Sequence, residues 1–326
     1  MKATAEARAN IALVKYWGRR DPALNLPLTS SLSMTVDRLV TRTTVEASDD
    51  IKEDTLDINS VPQGGAPLAR VVRHLDRLRE RAGSDLRCRV SSHNTFAASA
   101  GLASSASAFA ALTVAGFAAL GAEVNASEAS AFARLGSGSA ARSIFGGFVE
   151  WHAGTDHATS RAEPLAPPSH WDLHDVVAVL SEGEKKVGSS EGHEVAQTSP
   201  LNAGRLAEVP RLLREVREGI LARDVRRVGE AAEADALLMH AVMMTSRPSL
   251  LYWSPQTVAG LHAVRRWREE GLAVYATIDA GPNLHLICEG RDAPEVAQRA
   301  KEEFGAASVL DNGPGEGAAL VPRHLF

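Results

Sequence analysis

Three short polar segments of the chain carry residue types that catalysis requires. The first is the DAGPN turn at residues 279–283, where Asp279 lies between two apolar runs that are typical of strands. An aspartate close to Gly-Pro commonly caps the turn that contains it. A carboxylate at the end of a strand can also act as a general base, so both interpretations stay open for Asp279.

The second segment has the sequence GLASSAS and covers residues 101–107, directly before a long apolar stretch. Its glycine and small side chains allow backbone N–H groups to point at an anion, and a following helix adds a partial positive charge. The hydroxyl groups of Ser104, Ser105 and Ser107 can donate further hydrogen bonds to phosphate oxygens. Small residues also occur where helices pack tightly, so phosphate binding and packing both fit this segment.

The third segment, GSGSAARS at residues 136–143, combines a flexible backbone with hydroxyl groups and one guanidinium. Arg142, with Ser137 and Ser139 nearby, can form a clamp for an oxyanion or a carboxylate, because a guanidinium binds such groups through two parallel hydrogen bonds. Gly/Ser loops also serve as plain connectors, so this alternative stays open as well.

Two further segments concentrate cations or hydroxyl groups without a familiar catalytic pattern. Residues 15–21 hold three cations and two aromatic side chains at the end of a predicted strand, where they can bind a phosphorylated ligand or form a solvated rim. The KKVGSS sequence at residues 185–190 predicts either a mobile lid or an ordinary loop. The histidines match no known metal-ligand spacing, so we expect no metal site of the protein itself, and Mg²⁺ would arrive with phosphoryl chemistry.

Composition excludes several classes of function. The chain has 326 residues, with 35 Lys and Arg against 40 Asp and Glu, which gives a formal net charge of −5. No large positive field is available to attract a nucleic acid or an anionic membrane surface, although a small anionic substrate is compatible with this charge. Cys88 and Cys288 lie far apart in the chain, which excludes a disulfide framework and a zinc ribbon. With no long apolar run, we expect a cytoplasmic protein without a targeting segment.

The elements that must position these segments form two halves, each of which mixes strands and helices. A proline-rich stretch at residues 164–174 marks the predicted boundary between domains 1–170 and 171–326. One helix of the first half is predicted to begin at Ser127 as its N-cap. The predicted elements are strands at 7–16, 32–46, 86–92, 146–151, 176–180, 273–278 and 284–288, and helices at 101–120, 127–135, 255–270 and 293–304 and within 203–244. The fold class is therefore α+β in each half.

Taken together, five segments in this order resemble the mevalonate diphosphate decarboxylases, a branch of the GHMP kinase superfamily. They are ANIALVKYWG at residues 9–18, NLPLTSSLS at 25–33, GLASSAS at 101–107, GSGSAARS with GGFVEW at 136–151, and DAGPN at 279–283. Each segment alone is a weak signal, whereas their order and spacing are specific. The likeness extends from the N-terminus to near the C-terminus.

The resemblance implies a two-domain GHMP kinase fold. Its N-terminal domain would have ribosomal S5 domain 2-like topology, its C-terminal domain would be α+β, and the active site would lie in the cleft between them. The implied reaction uses ATP to phosphorylate the C3 hydroxyl of mevalonate 5-diphosphate, and phosphate and CO2 then leave to give isopentenyl diphosphate. The implied cofactors are ATP and Mg²⁺, the implied partners are small molecules and neither nucleic acid nor membrane, and a homodimer is implied.

The same resemblance assigns roles to individual residues. Asp279 is implied to be the catalytic carboxylate near the C3 hydroxyl, and Arg142 is implied to hold the substrate carboxylate. Lys15 would assist near the reacting hydroxyl, and Ser189 on the lid loop would close over the site. The implied substrate-binding residues are Tyr16, Trp17, Arg19, Ser137, Ser139 and Arg142. The implied nucleotide-binding residues are Ser92, Asn94, Gly101, Leu102, Ala103, Ser104, Ser105 and Ser107.

Three departures from the family pattern leave the exact substrate open. Arg19 replaces a lysine, FAASA at residues 96–100 replaces FPTAA, and the lid reads EGH at residues 191–193 where the family continues to Gly-Met. An acidic Glu191 beside a diphosphate is unfavourable if it points inward. The nearest alternative is a phosphomevalonate decarboxylase, which acts on mevalonate 5-phosphate and gives isopentenyl phosphate. A mevalonate 3-kinase and a catalytically silent GHMP-fold binding protein are more distant alternatives.

Overall fold

The structure is a computed structural model that describes residues 1–96, 104–180 and 189–326, with the backbone alone at 189 and 190. Among the described residues of the first half of the chain, six strands precede the first helix, and three helices in succession separate the seventh strand from the eighth. Its strands are β1 (Lys2–Val14), β2 (Arg19–Asp21), β3 (Leu26–Pro27), β4 (Ser31–Ser48), β5 (Thr55–Ile58), β6 (Val61–Gln63), β7 (Arg87–Asn94), β8 (Phe148–Trp151) and β9 (Ala162–Ala166). Its helices are α1 (Gly65–Ala82), α2 (Ser104–Ala119), α3 (Ala126–Gly136) and α4 (Ala140–Ser143).

The first sheet is built around the long antiparallel pair β1 and β4. Their register runs from Lys2 opposite Glu46 to Val14 opposite Leu32, and β7 continues the sheet on the other side of β4. β8 pairs with the first residues of β4, and β9 pairs with β8. Because β1 ends at Val14, the next residue leaves the sheet and its backbone needs hydrogen-bond partners elsewhere.

One apolar helix, α2, forms the core behind this sheet. Its residues are nearly all small or apolar and are buried on almost every side, and they pack with the inner residues of β1, β4 and α1. The neighbouring α3 begins after Asn125, whose side chain accepts a hydrogen bond from the Glu128 N–H. The prediction of Ser127 as the N-cap is therefore wrong, because Asn125 already satisfies this free N–H from the turn before the helix.

The second half of the chain forms a smaller sheet with helices packed around it. The strands in this half of the chain are β10 (Leu173–Val179), β11 (Tyr275–Thr277), β12 (Leu284–Glu289), β13 (Ser308–Asn312) and β14 (Ala319–Leu320). Its helices are α5 (Ser189–Val195), α6 (Asn202–Ala222), α7 (Val225–Thr245), α8 (Pro255–Glu269) and α9 (Ala293–Phe304). The sheet has the order β11-β12-β10-β13, and every pairing within it is antiparallel. Apolar residues of α8 and α9 cover one face of it.

The two halves share one hydrophobic core. It joins Leu13 and Met34 on the first sheet to Leu212 and Val216 on α6. The last strand, β14, returns to the first sheet and pairs with β1. Between β9 and β10 the chain passes from the first sheet to the second, and the domain boundary near residue 170 stays a prediction.

The α+β architecture predicted from the sequence is confirmed, and most predicted elements agree with the observed ones within a few residues. The first strand begins earlier than predicted, and α1, β5 and β6 were missed. β5 and β6 are only four and three residues long, whereas α1 has a clear helical periodicity that the prediction overlooked. In the described part of the chain, no helix is long and apolar enough to cross a membrane. Cys88 and Cys288 are buried free thiols.

Candidate active site

Lys15 and Asp279 meet where the two halves of the chain come together. Lys15 is the first residue after β1, and Asp279 lies in the turn between β11 and β12. The Lys15 Nζ atom is 2.7 Å from Asp279 Oδ1, and the two side chains are 2% and 26% exposed. The pair therefore combines a buried cation with a carboxylate that remains partly accessible to a ligand.

The position of Asp279 is fixed through its backbone. The Gly281 N–H donates to the Asp279 carbonyl oxygen (2.7 Å), and His240 Nε2 on α7 donates to the same oxygen (3.1 Å). Burial, with a further contribution from the Lys15 charge, lowers the pKa of His240 to about 4, so its imidazole is neutral at pH 7. The hydrogen bonds that fix the turn go to the backbone carbonyl oxygen of Asp279, whereas its carboxylate oxygen Oδ1 contacts Lys15.

Arg142 lies on α4, directly after the Gly/Ser loop, and its side chain is buried. Its Nη1 donates to Ser31 Oγ (2.5 Å), and its Nη2 donates to Asn10 Oδ1 (3.1 Å). The buried Nε has no hydrogen-bond partner among residues 1–96, 104–180 and 189–326. Burial lowers the pKa of Arg142 to about 10, although Asp279 and Tyr16 oppose this shift, so the guanidinium stays charged at pH 7. A buried cation with an unused donor suits a ligand carboxylate.

Asn10 and Ser31 lie within two of the family-like segments but carry no predicted role. Asn10 Nδ2 donates to the Ser139 carbonyl oxygen (3.0 Å) and to Ser143 Oγ (2.7 Å), while its Oδ1 accepts from Arg142. One buried amide thus connects β1 to the loop that carries Arg142. A polar residue inside an apolar strand was the only signal, because its partners lie 129 and 133 positions away.

Three serine hydroxyl groups form a continuous row near the start of α2. Ser105 Oγ lies 3.1 Å from Ser137 Oγ, which in turn lies 3.3 Å from Ser139 Oγ. Ser105 is in the first turn of α2, where the helix dipole is positive and backbone N–H groups have no partner within the helix. Hydroxyl groups and a helix N-terminus in one place suit phosphate oxygens.

Ser92, Asn94 and Ser107 contact two threonines of β4. Thr41 Oγ1 donates to Asn94 Oδ1 (2.7 Å) and lies 2.7 Å from Ser107 Oγ. Thr43 Oγ1 lies 3.0 Å from Ser92 Oγ. Ser107 is fully buried, and its hydroxyl donates to the Ser104 carbonyl oxygen (3.2 Å) at the start of α2, so its predicted contact with a nucleotide stays a prediction. Of the predicted site residues, Gly101, Leu102, Ala103 and the side chain of Ser189 lie outside the described residues.

The aromatic side chains after Lys15 take two different directions. Arg19 Nε donates to Tyr16 Oη (3.1 Å), so a cation and a phenol lie together. Burial raises the pKa of Tyr16, and the nearby Arg19 charge partly opposes this rise. Trp17 is 2% exposed and packs in an apolar cluster with Met239. This placement gives no support to the predicted ligand contact of Trp17.

Arg70 on α1 adds a cation that no sequence motif predicts. Its Nη2 donates to the Gly136 carbonyl oxygen (2.9 Å), next to the serine row. Burial lowers the pKa of Arg70, and the charges of Arg19 and Arg73 lower it further. The repulsion between cations that lie close together is relieved when an anion binds beside them. The three-residue spacing of Arg70 and Arg73 on one helix was the available signal.

The short helix α5 packs on the segment that carries Tyr16. The Gly18 N–H donates to His193 Nδ1 (3.0 Å), and the His193 ring stacks on Tyr16 with a centroid separation of 4.1 Å. Glu191 is exposed near Tyr252, whose pKa is raised by burial and by the Glu191 charge. Because Glu191 is exposed, water screens its charge.

A first α+β half with hydroxyl groups at a helix N-terminus, joined to a second half that supplies a carboxylate, agrees with the two-domain GHMP kinase fold that the sequence resemblance implies. Two family models match the chain. Residues 7–162 match the diphosphomevalonate decarboxylase-like N-terminal domain, and residues 175–316 match the mevalonate 5-diphosphate decarboxylase C-terminal domain. The chain belongs to the mevalonate diphosphate decarboxylase family, and the predictions of family and fold are confirmed.

Known relatives are similar over almost their whole length. The diphosphomevalonate decarboxylase of Candida albicans is 35% identical over 93% of this chain and 88% of its own. The phosphomevalonate decarboxylase of Haloferax volcanii is 34% identical over 88% of each chain. A solved structure described as "MDDEF in complex with MVAPP, AMPPCP and Magnesium" has a TM-score of 0.93 and 37% identity, and covers 98% of this chain and 99% of that chain.

Proposed function

We propose that this protein is an ATP-dependent decarboxylase that converts mevalonate 5-diphosphate into isopentenyl diphosphate, with release of ADP, phosphate and CO2. One observation carries the proposal: the Asp279 carboxylate contacts the Lys15 ammonium, and its charge acts on the Arg142 guanidinium, where it partly opposes the lowering of the Arg142 pKa by burial. In a chain of this family, these three groups match the needs of the reaction. The relative from Candida albicans carries the name of this activity.

Arg142 binds the substrate carboxylate, which later leaves as CO2. Its Nη1 and Nη2 atoms are held by Ser31 and Asn10, so the guanidinium plane is fixed before the substrate arrives. A fixed guanidinium orients the carboxylate without further loss of side-chain freedom. The substrate carboxylate in turn compensates a buried charge that has only neutral acceptors among the described residues.

Asp279 orients the C3 hydroxyl and accepts its proton as the oxygen attacks the terminal phosphorus of ATP. A carboxylate beside an ammonium is a weak base for an alcohol, so position and timing supply most of the effect. The Lys15 ammonium stabilises the negative charge that develops on the C3 oxygen and on the transferred phosphate group. Phosphate then leaves C3 while the electron pair of the C1–C2 bond forms the C2=C3 double bond, and CO2 departs.

ATP supplies the transferred phosphoryl group, and Mg²⁺ neutralises part of its phosphate charge. The Ser105 hydroxyl and the first turn of α2 fit the phosphate oxygens of ATP, and the neighbouring Ser137 and Ser139 hydroxyls fit the phosphate oxygens of the substrate. The described residues contain no group of three or more His, Cys, Asp or Glu side chains that could hold a metal ion. We therefore assign Mg²⁺ binding mainly to the nucleotide phosphates, with hydroxyl ligands from this region.

The 5-diphosphate end of the substrate binds near Tyr16, Arg19 and Arg70. Two cations and a phenol match the charge and the hydrogen-bonding needs of a diphosphate better than those of a single phosphate. The alternative of a phosphomevalonate decarboxylase has its own support, because the relative from Haloferax volcanii carries that name. The presence of two cations, Arg19 and Arg70, close to Tyr16 is the observation that supports the diphosphate.

The test is a comparison of ADP and CO2 release with ATP and Mg²⁺ on mevalonate 5-diphosphate, mevalonate 5-phosphate and mevalonate. We expect kcat/KM to be highest for the diphosphate by at least about tenfold, with ADP and CO2 formed in equal amounts. A preference for the monophosphate would move the enzyme to the alternative reaction. ADP without CO2 would indicate a 3-kinase, and no turnover with any substrate would indicate a silent binding protein.

We also propose that the protein works in the cytoplasm as a homodimer. The family resemblance supports the dimer, and the absence of a disulfide framework in the sequence supports a reducing compartment. Light scattering on the purified protein tests the homodimer, since it gives the mass of the particle in solution. A mass of one chain of 34.6 kDa would contradict the dimer.

A further inference from the structure

The backbone of Lys15 is held by a buried ion pair from the second half of the chain. The Lys15 N–H donates to Asp235 Oδ2 (2.5 Å), and Arg205 Nη2 donates to the Lys15 carbonyl oxygen (2.9 Å). Arg205 Nη2 also donates to Asp235 Oδ1 (3.0 Å), which closes a ring of three hydrogen bonds. Asp235 lies on α7 and Arg205 lies on α6.

Lys15 needs these partners because the sheet no longer supplies them. The pairing of Val14 with Leu32 is the last in the register of β1 with β4. A buried backbone N–H or carbonyl group without a partner is strongly unfavourable. Asp235 and Arg205 therefore replace the missing strand neighbour at the residue whose side chain contacts Asp279.

Both members of this ion pair are completely buried, at 0% exposure. The removal of two charges from water is so costly that a well-packed apolar pair is often equally stable, so stability alone does not explain the pair. Arg205 Nε and Nη1 have no hydrogen-bond partner in the part of the chain that the structure describes. The hydrogen bonds of this guanidinium there go to Lys15 and Asp235, so the pair is built around one backbone position.

Asp279, whose carboxylate contacts Lys15, is also held through its backbone by a residue of α7. His240 lies further along α7, and its Nε2 donates to the Asp279 carbonyl oxygen (3.1 Å). The His240 ring lies 5.2 Å from the Trp253 ring, which packs against it and restricts its orientation. α7 therefore contacts the backbone on both sides of the Lys15–Asp279 pair through two buried polar side chains.

We propose that Asp235, Arg205 and His240 are positioning residues that together set the 2.7 Å contact between Lys15 and Asp279. The proposal rests on the proposed function, because it takes this contact as part of the catalytic centre. None of the three side chains touches the reacting atoms. Each acts through the backbone of Lys15 or Asp279. Helices α6 and α7 therefore fix the position of the Lys15 ammonium relative to the Asp279 carboxylate.

The main test is the variant Asp235→Asn. It keeps the shape of the side chain but leaves one acceptor oxygen for two donors, Lys15 N–H and Arg205 Nη2. We expect kcat to fall about 10- to 100-fold while KM for ATP stays unchanged, because a misplacement of about 1 Å costs that much. In a crystal structure of the variant, the distance from Lys15 Nζ to Asp279 Oδ1 should exceed about 4 Å, the limit for an ion pair.

The matched control is Asp54→Asn in the first half of the chain. Asp54 Oδ1 accepts a hydrogen bond from the Cys88 backbone N–H (2.8 Å) and one from the Arg79 guanidinium, and the Asp54 and Arg79 side chains are almost completely buried. The variant makes the same substitution in a comparable buried ion pair that also holds a backbone N–H, so a purely structural role predicts similar effects for both variants. We expect Asp54→Asn to keep the wild-type kcat and the wild-type distance in the candidate active site. Equal losses of kcat in Asp54→Asn and Asp235→Asn would overturn the proposal.

A double variant separates positioning from general damage. If Asp235 acts through Lys15, Asp235→Asn should lower kcat much less in a Lys15→Met background than in the wild-type background. Equal losses in the two backgrounds would contradict the proposal. If Asp235→Asn does not fold, His240 gives the same test, because His240→Gln keeps an N–H donor and His240→Leu does not. We expect higher kcat for His240→Gln, and equal kcat values would count against the proposal.

The crystallographic distance does not depend on turnover. A wild-type protein that releases no CO2 from any mevalonate derivative would therefore refute the proposed function alone. An unchanged contact between Lys15 and Asp279 in Asp235→Asn would refute the positioning role alone.

Discussion

Lys15 and Arg142 are cationic side chains that are both almost completely buried, but their charges are compensated in different ways. Lys15 contacts a carboxylate, Asp279, at 2.7 Å. Arg142 donates only to the neutral oxygens of Ser31 and Asn10 within the described residues. The desolvation cost of Arg142 is therefore only partly repaid in the free protein, and a bound carboxylate repays the rest.

This difference predicts the behaviour of Arg142→Lys. The lysine keeps the positive charge but cannot donate two parallel hydrogen bonds to a carboxylate while it also binds Ser31 and Asn10. We expect kcat/KM for the mevalonate substrate to fall by about 100-fold in Arg142→Lys and by a larger factor in Arg142→Ala. Steady-state kinetics and ATP binding by calorimetry check this result. A change in ATP affinity alone would show that Arg142 has been placed wrongly.

A second prediction concerns His74, which is buried on α1 one turn after Arg70 and lies 2.9 Å from Thr113 Oγ1. Burial, with the charges of Arg77 and Arg70, lowers its pKa from 6.5 to about 3. Between these two pH values the unfolded state binds a proton that the folded state does not. The free energy of unfolding should therefore fall as pH falls from about 6.5 to about 3, by about 1.4 kcal/mol per pH unit at most.

The variant His74→Gln removes this titration and keeps an amide that can bond with Thr113. We expect its unfolding free energy to depend less steeply on pH below about 6.5, measured by urea unfolding at several pH values. Above pH 7 the two curves should run parallel, because a neutral histidine does not exchange protons there. Parallel curves below pH 6 as well would contradict the assignment.

At the scale of elements, α7 packs so closely on β11 that no side chain fits where they cross. A Cβ atom at Gly229 would lie 2.0 Å from Tyr275 Cγ. β11 leads directly into the turn that carries Asp279, and α7 carries Asp235 and His240. The distance between this helix and this strand therefore contributes to the position of the catalytic carboxylate.

We expect Gly229→Ala to lower the free energy of unfolding by about 1–3 kcal/mol, because the Tyr275 ring or the helix must move. A matched control is Gly204→Ala in α6, where a Cβ atom would meet nothing within 4 Å. That variant should be neutral or more stable by up to about 1 kcal/mol, since alanine favours helix more than glycine does. Urea unfolding compares the two, and equal stability would contradict the close packing at Gly229.

At the scale of the whole molecule, the charge at the site opposes the charge of the chain. The formal net charge is −5, whereas Lys15, Arg19, Arg70 and Arg142 bring positive charge to the place where the halves meet. A local positive field on an acidic protein attracts small anions and still repels other acidic macromolecules. The shared core between the first sheet and α6 keeps these cations in fixed relation to the second half, which supplies Asp279.

The sequence was informative about residues that lie inside short unusual segments. Asp279, Lys15 and Arg142 each stand out against a background of glycine, serine or apolar residues, and the structure brings all three together. Asp235 and Arg205 could not be found in this way, because a charged residue in an amphipathic helix resembles an ordinary surface residue. Their burial depends on a strand end that is 220 positions away from Asp235, and a local pattern contains no information about such contacts.

The most direct test of the central claim is the turnover of Asp279→Asn, measured as CO2 released from mevalonate 5-diphosphate in the presence of ATP and Mg²⁺. Asparagine keeps the shape of the side chain but cannot accept the hydroxyl proton or pair with the Lys15 charge. The account predicts that kcat falls by about 10²–10⁴-fold while ATP affinity stays close to that of the wild type, and that the loss of the partner of the buried Lys15 charge lowers the free energy of unfolding. Near-normal CO2 release by a folded Asp279→Asn variant would contradict the role of Asp279 and with it the proposed catalytic centre.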